Sequence, residues 1–139
     1  MKKITFTITA IAAILLIFGG CKKKEIDIRD QYIGDWDFEV VRRNFLVGEN
    51  GYHKIDTIFY LGKISFGNSN DQLNIKYTEN EYIAMIINED GDLSPIEPSY
   101  HFGKFRSSDT IYLYLRWGGM GGGITHTING TKINKGGKK

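Results

Sequence analysis

The stretch Thr110–Trp117, TIYLYLRW, changes character at every residue. Ile111, Leu113, Leu115 and Trp117 fall on one side, Tyr112, Tyr114 and Arg116 on the other. A period of two belongs to a strand with two unlike faces and is incompatible with a helix. The pattern recurs in DWDFEVV, where Trp36, Phe38 and Val40 oppose Asp35, Asp37 and Glu39. It recurs again in QLNIKYT, with Leu73, Ile75 and Tyr77 opposite Asn74, Lys76 and Thr78. YIAMII (82–87) is apolar on both faces and reads as a central strand. DTIFYLGKISF (56–66) reads as two strands, or as one bent at Gly62. GENG (48–51), GNSND (67–71), EDGD (89–92) and Asn129-Gly130 supply turn residues that tolerate positive φ. Pro95 and Pro98 bracket a connection with no strand pattern. These signals predict an all-β domain, a small antiparallel barrel or sandwich of seven to nine strands.

Cysteine content narrows the choice. The 139 residues contain one cysteine, so no internal disulfide can staple the sheet. A small sheet without staples must close or cover its edges, and a closed or nearly closed barrel is expected.

That cysteine, Cys21, stands where an apolar run ends. Lys2 and Lys3 precede the apolar stretch Ile4–Phe18, and Gly19 and Gly20 precede Cys21. A positive start, a short apolar core and a small-residue exit describe a secretory signal peptide, which is helical while it is read. The Gly-Gly-Cys exit resembles the lipobox of bacterial lipoproteins, although the family carries leucine where this chain has Phe18. The resemblance implies cleavage between Gly20 and Cys21, diacylglycerol on the Cys21 thiol and a fatty acyl chain such as palmitate on the new N-terminus. The chain then divides into a signal peptide (1–20), a lipidated tether (21–30), a β-domain (31–133) and a basic, disordered tail (134–139). It also resembles the small lipoproteins of Bacteroidetes-type bacteria. That implies anchorage to the outer or inner membrane of the cell envelope, with membrane lipid as partner. In some surface lipoproteins of that group, acidic residues after the cysteine act as an export signal. Lys22, Lys23 and Lys24 stand there instead and favour the periplasmic side.

Charge removes one class of partner. Residues 25–131 carry 9 basic and 16 acidic side chains. Nucleic-acid binding needs a basic face, so no nucleic-acid partner is expected for the body.

The segment YIGDW (32–36) places Gly34 two residues before Trp36. This Gly-x-Trp resembles the start of the lipocalin and lipocalin-like family. The resemblance implies an up-and-down barrel with Trp36 packed across its closed end and a basic residue near the last strands, for which Arg116 is the candidate, lying over it. It further implies that the interior takes a small apolar or amphipathic ligand. Trp36, Tyr112, Tyr114 and Arg116 are the candidate ligand-binding residues. The alternation leaves two roles for Tyr112, Tyr114 and Arg116. They line a cavity, or, if Leu113 and Leu115 point inward, they form a cross-strand ladder on the outside.

No catalytic constellation stands out. His53, His101 and His126 are far apart and lack metal-ligand spacing. His126, between Ile124 and Ile128, reads as a semi-buried histidine with a backbone partner. No serine sits in G-x-S-x-G. Asp35, Asp37 and Glu39 read as a solvated outer face rather than a glycosidase pair. The glycine-rich run Gly118–Gly123 lacks the phosphate-loop lysine and reads as a hairpin connection or a close backbone approach. The expectation is therefore a non-catalytic binding domain with no metal and no cofactor. A second possibility is an envelope interaction module that docks a protein on a sheet edge or its tyrosine face.

Overall fold

The computed structural model describes residues 26–46, 48 and 52–134. The signal peptide, its Gly20–Cys21 junction and the basic tail from 135 onward lie outside the described residues. Those residues form a short 3-10 turn, Ile28–Gln31, and eight strands. The strands are β1 (Gly34–Leu46), β2 (Tyr52–Phe66), β3 (Gln72–Lys76), β4 (Tyr82–Ile87), β5 (Asp92–Pro95), β6 (Phe102–Ser107), β7 (Thr110–Gly119) and β8 (Gly122–Lys132). Each pairs antiparallel with its neighbour, and β8 returns to β1, so the sheet closes into an up-and-down barrel. Closure removes most of the edges that a chain without a disulfide cannot otherwise protect, leaving the far side of β2 unpaired from Tyr52 to Gly62 among the described residues.

The expected alternation sets which side chains enter the barrel. Trp36, Phe38 and Val40 of β1 are fully buried, while Asp37 and Glu39 between them are exposed. Register then stacks the interior in layers. Phe38 lies level with Gly130 and Ile111, and Val40 with Ile128 and Leu113. Arg42 lies level with His126 and Leu115, and Asn44 with Ile124 and Trp117. Ile64, Leu73, Ile75, Met85 and Leu93 complete the core from β2 to β5. Each such side chain contributes roughly 1.5–3 kcal/mol on burial.

One turn expectation is corrected and two others are resolved. Asn129-Gly130 is not a turn but lies within β8. Gly130 is there because a Cβ would come within 2.6 Å of Phe38 and Ile111 side chains. Of the two readings of segment 56–66, two strands or one bent at Gly62, the single strand holds. The segment belongs to β2, which gains β3 as its second neighbour only from Lys63 onward. The connection after Pro95 is not strand, as expected; Pro95 itself is the last residue of the short strand β5, opposite Met85.

The packed body also begins before residue 31. Asp27 caps the 3-10 turn by accepting the Arg29 N–H at 2.9 Å. Buried Arg29 pairs with Asp27 and donates to the carbonyls of Ser69 and Gln72 at 2.7 and 3.2 Å. Its guanidinium lies 4.8 Å from the Phe66 ring centre. The residues just before β1 are thus clipped to the β2–β3 turn.

Candidate functional site

The two ends of the barrel differ in what fills them. At the end where β1 starts and β8 finishes, the Trp36 indole N–H donates to the Tyr32 carbonyl at 2.9 Å. The Trp36 ring stacks on Phe38 with centres 6.2 Å apart and meets Phe105 at 5.8 Å. Buried Tyr32 stacks on Phe105 with ring centres 3.7 Å apart. Lys132 Nζ donates to the Gln31 carbonyl and ties the last strand to the 3-10 turn. Trp36 has no exposed surface, so this end is a solid plug.

The opposite end is a mouth. Its interior-facing residues, read from the register, are Asn44, Ile124, Trp117, His101, Pro95 and Ile83. Trp117 is 40% exposed, and two imidazoles flank it. His101 lies with its ring centre 4.9 Å away, tilted, and His126 at 4.8 Å, edge to face. A hollow of about 310 Å³ opens beside Trp117, walled by Ile83, Ala84, Pro95, Ile96 and His101. Across the interior, Asn44 Oδ1 is buried with no hydrogen-bond partner, alone in this among the described residues.

Both imidazoles are held towards the neutral state. The Arg116 backbone N–H donates to His101 Nδ1 at 3.0 Å, which leaves the ring proton on Nε2. Burial lowers the His101 pKa. Burial is also the largest cause of the lowered His126 pKa. Arg42 pushes the same way, whereas Glu81 and Asp56 oppose it. The hydrogen-bond partner of His126 is not backbone but the Tyr77 hydroxyl, 3.5 Å from Nδ1. The Tyr77 hydroxyl is itself pushed upward by burial and then by the charge of Glu81.

A second opening lies in the barrel wall. β2 has no strand partner on its far side between Tyr52 and Gly62 among the described residues. A side hollow of about 530 Å³ sits there, between Ile58, Phe59 and Tyr60 of β2 and the turn Thr78–Glu81. Its floor is Arg42, whose guanidinium makes a two-pronged bond to Asp56 through Nε and Nη2. Asp56 stands opposite Arg42 because a bulge places Ile55 as an extra residue in β2.

The residues singled out from sequence do not converge. Trp36 lies in the plug. Tyr112, Tyr114 and Arg116 lie on the outer face of β7. Phe102 stacks on Tyr114 with centres 5.1 Å apart and meets Tyr112 at 6.4 Å. Arg106 lies over Tyr112. Arg116 lies over Phe45 at 4.4 Å and Tyr100 at 5.5 Å, not over Trp36. This is the cross-strand ladder. The mouth residues Asn44, His101 and Trp117 escaped sequence reading. The alternation does put Trp117 on the same face as Leu113 and Leu115, but nothing in it marks the end of the strand as open.

Gly118 and Gly122 take positive φ values of 126° and 136°. A Cβ on Gly118 would sit 2.3 Å from the Gly122 carbonyl. The glycine run is therefore a close backbone crossing in the β7–β8 hairpin, and it carries Met120 at its tip, 95% exposed.

No group of three or more His, Cys, Asp or Glu residues could hold a metal ion among the described residues. No protein-family model matches the chain. A search of curated proteins gave no match. A solved structure described as "Odorant Binding Protein OBP1" is similar, with 18% sequence identity, 80% of each chain covered and a TM-score of 0.39. At that level of likeness nothing about a ligand carries over.

Proposed function

We propose that this chain is a lipid-anchored protein of the bacterial cell envelope. Cys21 carries the lipid, the body faces the periplasm, and the non-catalytic barrel holds a small apolar or amphipathic molecule at its mouth. The observation that carries the binding reading is the hollow beside Trp117. Trp117, Tyr82 and the His101 imidazole wall it with Ile83, Ala84, Pro95 and Ile96, and Glu97 and Ser99 add polar groups. Elsewhere at this end the buried acceptor Asn44 Oδ1 has no partner. Its volume is at the low end of ligand pockets, which run ~300–1,000 Å³. A compact aromatic molecule with one donor group fits this chemistry. The plug of Trp36, Phe38 and Phe105 confines the ligand to the upper interior.

The signal-peptide pattern and the Gly-Gly-Cys exit support the anchor. Metabolic labelling with radioactive palmitate tests it. Wild type should take up label and Cys21→Ser should not, and equal labelling of the two would end the anchor reading.

Fluorescence titration with N-phenylnaphthylamine tests the site. Saturable binding should weaken about tenfold or more in Trp117→Ala and stay unchanged in Tyr112→Ala. Binding that ignores Trp117 would refute the mouth as the site.

One observation favours an interaction module instead. Phe59 and Leu61 are 72% and 71% exposed on β2, beside its unpartnered edge. Such an edge accepts an added strand. Recovery of one stoichiometric envelope protein by crosslinking, lost in Phe59→Lys, would support that reading.

A further inference from the structure

The barrel body is acidic, but its acids are unevenly placed. β6, β7 and β8 contain no aspartate or glutamate. This wall carries Lys104, Arg106 and Arg116, and Arg43 of β1 joins them across β8. Lys104 is paired with Asp92, as Arg29 and Arg42 are with Asp27 and Asp56. Arg43 and Arg116 differ. Both are half-buried, and among the described residues no carboxylate pairs with either. On the outer face of β1 the next acid below Arg43 is Glu39, roughly 13 Å along the strand.

Register sets the two arginines side by side. Both stand opposite Thr125, one on each side of β8, with backbones about 10 Å apart. The Arg116 guanidinium is held between the rings of Phe45 and Tyr100, which fix its plane and leave its edge donors available. Arg43 Nη1 donates to the Thr127 hydroxyl at 3.4 Å, so that hydroxyl keeps its own proton to donate. A hollow of about 260 Å³ opens on this outer face, walled by Arg43, Tyr114, Thr125 and Thr127. Arg116 is the next outward residue after Tyr114 on β7, and Phe102 stacks on Tyr114 to extend a flat aromatic surface.

We propose that this outer wall binds the phosphate monoester of a ring compound, with Arg43 and Arg116 as its two cationic arms. Adjacent like charges repel, and a bound anion removes that cost. Guanidinium forks grip a carboxylate or a phosphate bidentately, so charge count decides between them. A carboxylate brings one negative charge to the two cations, whereas a phosphate monoester brings nearly two at neutral pH. The hollow is smaller than the ~300–1,000 Å³ of pockets that enclose a whole ligand. It takes the charged group, and the ring of the ligand lies on Tyr114 and Phe102. The site is separate from the mouth, because Arg116 and Trp117 point to opposite faces of β7.

The test is calorimetric titration of the full-length chain in dodecyl maltoside at neutral pH with phenyl phosphate. Saturable binding should weaken about tenfold or more in Arg43→Gln and in Arg116→Gln. It should recover in part in Arg116→Lys and stay unchanged in Lys104→Gln and Trp117→Ala. Benzoate and inorganic phosphate should both bind more weakly than phenyl phosphate. Dihexanoyl phosphatidic acid distinguishes the sources: tighter binding than phenyl phosphate assigns a lipid headgroup, weaker binding a soluble ester. Absence of saturable binding, or binding indifferent to both glutamine variants, overturns the proposal. Should a glutamine variant not fold, wild type decides: phenyl phosphate should protect Arg43 and Arg116 from phenylglyoxal, read by mass spectrometry, and unprotected arginines overturn the proposal.

Discussion

The plug and the mouth share the same strands and the same alternation, yet only the plug is finished as a core. At the plug every inward position is aromatic or aliphatic, and glycines make room. A Cβ on Gly62 would lie 2.8 Å from the Phe38 ring, and Gly130 yields to the same ring. At the mouth, apolar Ile83, Pro95 and Ile124 share the inner face with His101, Asn44 and half-exposed Trp117, and His126 lies just below. The histidines hydrogen-bond and titrate, and Trp117 is incompletely covered. Tight packing makes a rigid base, and the incomplete packing above it leaves room for a ligand.

The contrast breaks most visibly at Trp36. Trp36→Ala should cost about 3–5 kcal/mol, the range for large aromatic truncations, whereas half-exposed Trp117→Ala should cost well under half of that. Urea denaturation of the two variants measures the difference, and equal losses would mean that the mouth is packed as tightly as the plug. A crowding change comes next. Gly62→Ala puts a Cβ 2.1 Å from the Lys76 carbonyl, at the point where β3 joins β2. Overpacking of that kind costs about 1–3 kcal/mol. Gly119→Ala meets nothing within 4 Å and should leave the melting temperature nearly unchanged.

A pH titration sharpens the comparison. His126 has a folded pKa below the ordinary 6.5. The unfolded chain therefore binds its proton first as pH falls. The stability that His126 contributes is fully present above about pH 6.5 and is lost as pH drops towards the lowered folded value. The slope from one such group is at most about 1.4 kcal/mol per pH unit. Melting temperatures from pH 8 to 5 should fall less steeply in His126→Gln than in wild type, and parallel curves would show that the histidine is not held neutral.

Smaller still is the effect expected at Arg42–Asp56. The pair is about one-third exposed, with side-chain values of 33% and 38%. Asp56→Asn should therefore cost only about 0.2–1 kcal/mol. The outer ladder closes the series. Tyr114→Ala should lose roughly 0.2–1 kcal/mol through its cross-strand contact with Phe102, with probe binding at the mouth unaltered. Altered binding would tie the outer face to the site.

Much of this was legible in the amino-acid order. Period-two alternation, turn chemistry and a single cysteine were enough for an all-β barrel or sandwich of seven to nine strands. They also put Trp36, Phe38 and Val40 on one face of a strand and Leu113 and Leu115 on one face of another, because side-chain direction along a strand is a local property. Given Leu113 and Leu115, the outward ladder of Tyr112, Tyr114 and Arg116 followed as one of two alternatives. Closure, strand count and register belong to the tertiary structure, since they depend on which strand lies beside which. Register is what sets Gly130 against Phe38, brings His101 and His126 onto the two sides of Trp117, and leaves Asn44 Oδ1 without a partner. Residues 44, 101, 117 and 126 are distant along the chain. The β6–β7 and β7–β8 pairings bring His101, Trp117 and His126 together, and only the closing of β8 onto β1 adds Asn44 to them.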